Sequence, residues 1–198
     1  MTRDNIIKTH QIDTAKKIIL FPARITSWKG QLEFIDVIKK MDTQNILVLF
    51  VGDTKNESYT KLVQNKIEQN NLESVCKILG SVNQDEMRSL YQIADLSVSF
   101  PLRAEGFGRT VGESLYSNTP VLAFDYGGVK NQLENLSDLF KVKPNDYQGL
   151  PKKIEVLLNL NEDQKKDALQ DAQLVIEKNF SKTNMVNQYM KLYESIKS

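Results

Sequence analysis

The feature that most constrains the fold is a regular alternation between short, continuous apolar runs and longer segments with apolar residues at helical spacing. The apolar runs cover residues 17–21, 45–51, 75–79, 95–100, 119–124 and, more weakly, 139–142. Such runs are typical of strands that are covered on both faces of a sheet. Helices are predicted over residues 32–41, 62–72, 85–93, 109–117, 147–158, 162–178 and 182–196. Strands separated by single helices predict an α/β fold with a parallel sheet and helices on both faces.

One Rossmann-like domain is predicted for residues 17–198, because no repeat, low-complexity segment or internal linker interrupts the alternation. Residues 1–16 are polar and are predicted to form a leader or an interdomain segment. In such folds ligands bind at the carboxyl ends of the strands, near the switch in strand order. The residues that directly follow the predicted strands are therefore the candidates for a functional site.

Composition argues against several classes of function. The chain has 26 Lys and Arg against 25 Asp and Glu, without a basic cluster, so a nucleic-acid partner is not expected. The single histidine, His10, lies in the polar segment, which argues against a zinc site or a Ser-His-Asp triad. The single cysteine, Cys76, lies in an apolar run and predicts a buried, unreactive thiol in a reduced cytoplasm. No apolar stretch is long enough for a signal peptide or a membrane span, so a soluble protein is expected.

Two positive charges follow the first predicted strand. Arg24 comes directly after it, and Lys29-Gly30 stands where the next predicted helix starts. Fixed positive charges beside a helix N-terminus suit a diphosphate, because the charges and the helix dipole act in the same direction. Taken alone, solvated loop charges are the simpler interpretation. No P-loop and no GxGxxG motif is present, which argues against an NTPase or a dinucleotide dehydrogenase.

The most informative segment follows the fourth predicted strand and reads Glu-Gly-Phe-Gly-Arg-Thr-Val-Gly-Glu over residues 105–113. Two glycines within three residues let the backbone approach a ligand closely. The following helix start presents free N–H groups toward an anion. Glu113, about one turn into that helix, can reach a ribose diol, while Glu105 lies at the loop mouth. Weaker signals are Gly80-Ser81-Val82 after the third strand, as one wall of a base pocket, and the turn at Gly127-Gly128.

Together these motifs resemble the C-terminal domain of the family 4 glycosyltransferases, which are retaining enzymes of the GT-B fold. Glu105 and Glu113 match the family's E-x7-E motif, and Arg24 with Lys29 resembles its phosphate-binding pair. Residues 117–123 resemble its Pro-Val strand, and residues 127–128 its glycine pair. Three features depart from the family. Gly112 stands where a larger apolar residue is usual, residues 129–131 lack the common Pro-Glu, and Met87 stands where some relatives have a polar residue near the base.

The resemblance implies metal-independent transfer of a hexosyl group from a nucleotide-diphosphate sugar, with retention and without a cofactor. As catalytic residues it implies Arg24 and Lys29, which hold the diphosphate and neutralise the departing nucleotide, and Glu105, which contacts the transferred sugar. It further implies donor binding by Glu113 at the ribose hydroxyls, by Val82 at the base, and by the backbone of Gly106, Phe107 and Gly108 at the sugar and phosphate.

GT-B enzymes have two Rossmann-like domains, so the resemblance also implies an N-terminal acceptor-binding domain, in cis or in trans. The isolated half is then expected to be inactive or weak, since positioning the two substrates supplies much of the rate. The resemblance further implies a cytoplasmic enzyme of polysaccharide or lipopolysaccharide biosynthesis, either free or peripheral at the inner face of the cell membrane. The high Lys, Asn and Ile content indicates a bacterial source.

Two other functions remain open. One is a non-catalytic nucleotide-sugar-binding module that pairs with a separate chain, which an exposed apolar surface on the final predicted helix would favour. The simpler expectation is that the apolar residues of this helix pack onto their own domain; they are Tyr189, Leu192, Tyr193 and Ile196. The other is a nucleotide-sugar 2-epimerase of related fold, against which the lack of histidine in the loops at the sheet edge argues.

Overall fold

A six-stranded, all-parallel sheet forms the centre of the computed structural model, which describes residues 3–170 and 172–197. The strand order is β3-β2-β1-β4-β5-β6. The strands are β1 Lys17–Pro22, β2 Ile46–Val51, β3 Cys76–Gly80, β4 Leu96–Ser99, β5 Val121–Phe124 and β6 Lys141–Val142. All six predicted strands are present, and the predicted Rossmann-like α/β fold is confirmed.

Helices connect the strands and cover the sheet. They are α1 Arg3–Thr9, α2 Gln31–Ile38, α3 Glu57–Gln69, α4 Gln84–Ile93, α5 Arg109–Tyr116, α6 Gly128–Leu133, α7 Leu150–Leu158, α8 Glu162–Ala168, α9 Ala172–Phe180 and α10 Lys182–Lys197. A 3-10 turn, Asp138–Phe140, precedes β6. None of the helices in the part of the chain that the structure describes is long and apolar enough to cross a membrane.

The alternation of side chains along β1 explains why both faces of the sheet must be covered. Ile19 and Phe21 enter one core, where the Phe21 ring lies 5.4 Å from the ring of Phe34 on α2. Ile18 and Leu20 enter a second core, which α1 and α4 close. Fully burying one such side chain stabilises the fold by about 1.5–3 kcal/mol. Continuous apolar strands thus fix the central layer, and the helices follow from it.

The polar segment ahead of β1 is a folded part of this second core. Ile6 on α1 and Ile12 after it are 0% and 5% exposed, and α1 packs against α4. Residues 3–12 of the predicted leader or interdomain segment are therefore folded onto this domain, because Ile6 and Ile12 anchor them. The proposed interdomain role of the segment stays a prediction.

Several helical predictions differ from the structure. Helix α3 begins five residues before the predicted 62–72, because the Asn56 side chain accepts a hydrogen bond from the Tyr59 backbone N–H and caps it. Helix α6 was not predicted, because it has only six residues and begins inside the glycine pair at residues 127–128. The single helix predicted over 162–178 is two helices, α8 and α9, since α8 ends at Ala168 and α9 begins at Ala172.

The final helix does not pack its apolar side chains onto this domain, so that expectation is wrong. Tyr189, Leu192, Tyr193 and Ile196 on α10 are between 53% and 72% exposed. Helix α10 contacts α9, but its apolar residues recur along an uncovered face. Met185, Val186 and Met190 on the same helix are also exposed. We call this set of seven residues the α10 apolar face.

Candidate active site

A cleft of about 770 Å³ opens over the carboxyl ends of β1 to β4, where the strand order switches between β1 and β4. This is the size range and the place in which α/β sheets bind small molecules. All eight site residues predicted from the sequence line it: Arg24, Lys29, Val82, Glu105, Gly106, Phe107, Gly108 and Glu113. The structure thus brings them together, while the individual roles assigned to them stay predictions.

The loop after β1 is held in place by the backbone. The Ala23 N–H donates to Val51 and the Ile25 N–H to Asp53, each at 2.9 Å. The buried Gln31 side chain donates to the Arg24 carbonyl oxygen at 2.8 Å. The Arg24 side chain, which lines the cleft, is exposed. Its backbone is therefore fixed, while its guanidinium is free to meet a ligand.

Lys29 sits at the start of α2, where only glycine fits the next position. Gly30 has φ +85°, and a Cβ there would overlap the carbonyl oxygen of Phe100 at the end of β4. This close approach brings the β1 and β4 loops together, and the Lys29 ammonium donates to Glu105 Oε1. Their side chains are 16% and 13% exposed. The ammonium also lies 4.2 Å from the centroid of the Trp28 ring.

Lys29 and Glu105 both keep hydrogen-bonding capacity at the wall of the cleft. An ammonium has three donors, and the Glu105 contact uses one of them. The carboxylate likewise keeps lone pairs for further donors. Lys29 can therefore donate to an anion, and Glu105 can accept from a hydroxyl. Because the two side chains stay paired with each other, neither charge is left without a partner.

The glycine-rich loop over residues 105–108 is clamped by the segment after β5. The Gly128 N–H donates to the Glu105 carbonyl oxygen at 2.9 Å, and the buried Gln132 side-chain amide donates to the Phe107 carbonyl oxygen. The unusual Gly112 makes room for this clamp, because a Cβ there would lie 2.8 Å from Gln132 Oε1. Helix α5 runs unbroken through Gly112.

Helix α5 carries Glu113 along one side of the cleft. Gly108, in the left-handed conformation with φ +75°, precedes the first residue of the helix. The Glu113 side chain is exposed, and its Oε2 accepts a hydrogen bond at 3.1 Å from the hydroxyl of Tyr91 on α4. Sequence reasoning missed Tyr91, because an aromatic residue in the apolar stripe of a helix reads as ordinary core.

The far wall of the cleft comes from the β3–α4 loop. Asn83 caps α4 reciprocally with Glu86, which places the helix start beside Val82. Sequence reasoning also missed other lining residues, although most of them follow strands as the predicted ones do. Among them are Trp28, Asp53, Asn83, Gln84, Arg109 and Thr110.

Other reactive groups lie apart from the cleft lining. Cys76 is buried in β3, as the sequence predicts, and burial raises the pKa of its thiol to about 12. A thiol that stays protonated at neutral pH is a poor nucleophile. Within residues 3–170 and 172–197, no three His, Cys, Asp or Glu side chains are grouped as a metal site would require.

Comparison with known proteins decides the family. The sequence model described as glycosyl transferases group 1 matches residues 2–173. The chain belongs to the group 1 glycosyl transferases. It is 28% identical to a trehalose synthase of Thermococcus litoralis, over 98% of this chain and 49% of that protein. It is 29% identical to an uncharacterised glycosyltransferase of Methanocaldococcus jannaschii, over 89% of this chain and 48% of that protein. The chain therefore spans about half the length of these curated relatives.

Solved structures of several proteins, two of them described as glycosyltransferases, share the fold. A glycosyltransferase of Rickettsia africae superimposes with a TM-score of 0.90 at 28% identity, over 98% of this chain and 51% of that chain. HepE of Anabaena, solved with UDP and glucose, superimposes with a TM-score of 0.84 at 24% identity, over 98% of this chain and 53% of that chain. The C-terminal domain of LpcC from Francisella tularensis, solved by itself, superimposes with a TM-score of 0.75 at 20% identity, over 91% of this chain and 94% of that chain. The domain thus has the Rossmann-like architecture of one half of these enzymes.

Proposed function

We propose that this chain is the donor-binding half of a retaining, family 4-type glycosyltransferase, which transfers a hexosyl group from a nucleotide-diphosphate sugar. The observation that carries the proposal is that Arg24 and Lys29 meet the glycine-rich loop, with Glu105 and Glu113 at its two ends, in one cleft at the switch in strand order. HepE, a protein of the same fold, was solved with UDP-glucose. A UDP-sugar is therefore the first donor to test.

In this proposal Arg24 and Lys29 bind the diphosphate and stabilise the charge of the departing nucleotide. Fixed cations do this best in a partly desolvated cleft, where electrostatic stabilisation of the transition state is strong. The 16% exposure of Lys29 meets that condition. Glu105, its neighbour, contacts the transferred sugar through the lone pairs that Lys29 does not use. No divalent metal is needed for this chemistry.

The remaining lining residues hold the rest of the donor. Glu113 accepts hydrogen bonds from the ribose hydroxyls, and Val82 packs against the base. The backbone of Gly106, Phe107 and Gly108 lines the sugar and phosphate, as glycines permit. The clamp from Gln132 supports this assignment, because it fixes the carbonyl of Phe107 and with it the course of the loop along the cleft.

The acceptor site is proposed to come from a second domain, in cis or in trans. The α10 apolar face supports a partner, since apolar patches of this kind mark surfaces that meet another protein. The same face also supports the second candidate function, a non-catalytic module that pairs with a separate chain. Release of the sugar, measured with both halves present, separates the two candidates. The epimerase alternative gains no support, because His10 is not among the residues that line the cleft.

The donor site is tested by calorimetric titration of the chain with UDP, GDP and ADP and their sugar conjugates, without divalent metal. We expect saturable binding of one nucleotide, which Arg24→Ala and Glu113→Gln each weaken by about tenfold or more, since a charge-assisted hydrogen bond contributes about 1.5–3 kcal/mol. Arg3→Ala and Glu73→Gln change exposed residues outside the cleft lining and serve as matched controls. Failure of all three nucleotides to bind would contradict the proposal.

The α10 apolar face gives a separate prediction about stability. Leu192→Lys with Ile196→Lys is expected to reduce both self-association and the binding of an apolar dye. The melting temperature should hardly change, because exposed substitutions shift stability by no more than about 0.5 kcal/mol each. Sedimentation, dye fluorescence and thermal melts check this, with Leu62→Lys on α3 as an isolated exposed leucine for control. A large drop in melting temperature would mean that the face is covered by its own domain.

A further inference from the structure

The side-chain hydroxyl of a buried tyrosine lies at the edge of the donor cleft. Tyr91 on α4 is 2% exposed, yet its hydroxyl has two acceptors within hydrogen-bond distance, Glu113 Oε2 at 3.1 Å and the Thr110 carbonyl oxygen at 3.3 Å. Glu113 itself is exposed and lines the cleft. The hydrogen bond between Tyr91 and Glu113 therefore joins the apolar core to a carboxylate that lines the cleft.

Buried hydrogen bonds hold Tyr91 in this position. The Thr119 hydroxyl donates to the Tyr91 carbonyl oxygen at 2.8 Å, and the Ser114 hydroxyl donates to the Thr119 carbonyl oxygen at 3.0 Å. Thr119 and Ser114 are 2% and 0% exposed. The backbone of α4 is thus tied to the segment between α5 and β5, so the tyrosine hydroxyl and the helix that carries Glu113 keep a fixed relation.

The hydroxyl acts only as a donor toward the carboxylate. Burial and the nearby charge of Glu113 raise the pKa of Tyr91 well above its ordinary value, so it stays protonated. A hydroxyl has one hydrogen to give. The Glu113 carboxylate is both nearer and charged, so it is a better acceptor than the Thr110 carbonyl, and the hydrogen occupies one lone pair of Oε2. Oε1 and the second lone pair of Oε2 remain for a ligand. A carboxylate held this way loses less side-chain freedom when a ligand binds than a freely rotating one.

We propose that Tyr91 is a positioning residue, which orients the Glu113 carboxylate to accept hydrogen bonds from the two ribose hydroxyls of the donor nucleotide. The inference rests on the proposed function, in which Glu113 binds the ribose. It adds a residue that contacts no ligand itself. Its effect should therefore appear only with nucleotides that carry the 2′ and 3′ hydroxyls.

The test is calorimetric titration of the unchanged chain and of Tyr91→Phe with UDP and with 2′,3′-dideoxy-UDP. Tyr91→Phe keeps the ring and removes only the hydroxyl. We expect a loss of affinity for UDP of about fivefold to tenfold, which is the size of the net effect of one ordinary hydrogen bond. Affinity for the dideoxy nucleotide should be unchanged. In a Glu113→Gln background, Tyr91→Phe should have a much smaller additional effect on UDP. Tyr189→Phe on exposed α10 is the control.

The outcomes separate the inference from the function on which it rests. If the unchanged chain binds UDP and Tyr91→Phe binds it equally well, the positioning role is overturned and the donor site stands. Equal losses for both nucleotides, or a Tyr91→Phe chain that does not fold, would show that the hydroxyl acts through the fold, and would also overturn it. If the unchanged chain binds no UDP, the donor assignment to this nucleotide and the inference fail together.

Discussion

Lys29→Met is expected to weaken UDP binding by about ten- to a hundredfold and to lower the stability of the free chain. The affinity falls because a charge-assisted contact to the diphosphate, of about 1.5–3 kcal/mol, is lost. Stability falls because Glu105, only 13% exposed, loses the partner of its carboxylate. Titration calorimetry and urea unfolding measure the two effects separately.

A double variant tells these two consequences apart. Lys29→Met with Glu105→Gln removes both charges, so it should recover stability without recovering UDP binding. Lys66→Met is the matched control, since Lys66 pairs with Asp36 at 2.6 Å on the outer side of α2 and α3. Loss of that more exposed pair should change stability by no more than about 1 kcal/mol and leave UDP affinity unchanged. Unaltered UDP affinity in Lys29→Met would contradict its assignment to the diphosphate.

Gly128→Ala is expected to cost about 3 kcal/mol of stability, at the upper end for overpacking, and to remove most UDP binding. A Cβ at Gly128 would overlap the Gly106 carbonyl oxygen and lie 2.6 Å from the Phe107 Cα. Both are backbone atoms, so relief requires the glycine-rich loop itself to move away. Because that loop lines the cleft, a loss of stability and a loss of affinity are expected together. Thermal melts and titration calorimetry measure them.

Gly149→Ala is the control for the effect of adding a methyl group. Gly149 has φ −81°, and a Cβ there would meet no atom within 4 Å. Gly149→Ala should therefore change the free energy of unfolding by no more than about 0.5 kcal/mol. Its affinity for UDP should be unchanged. A Gly128→Ala chain as stable as the Gly149→Ala chain would mean that the loop has room to yield, and that its close packing does not hold the cleft in shape.

The strands and the site residues were predictable because both depend on local patterns. A continuous apolar run predicts a covered strand wherever it lies, and the loop after a parallel strand opens at one edge of the sheet. That reasoning, helped by the resemblance, selected eight of the residues that line the cleft, while their individual roles stay predictions. It failed for α1, where two apolar residues in a polar segment are too few to form a visible period.

Contacts between distant elements could be found only in the tertiary structure. Lys29 and Glu105 are 76 residues apart, and their pairing depends on the close approach of α2 to β4 that Gly30 permits. Gly112 looks like a weak point in a helix until Gln132 is seen to fill the space beside it. Tyr91 looks like core until its hydroxyl is placed on Glu113.

The sequence by itself determined the α/β class, the six strands and which loops reach the cleft, since hydrophobic burial and chain connectivity act through local spacing. Tertiary structure decided which charges neutralise each other, which glycine makes room for which side chain, and which helix face stays uncovered. Those outcomes depend on distances between elements, which become definite only when the whole core has packed. The α10 apolar face shows the difference: its helical period was evident from the sequence, and its exposure was not.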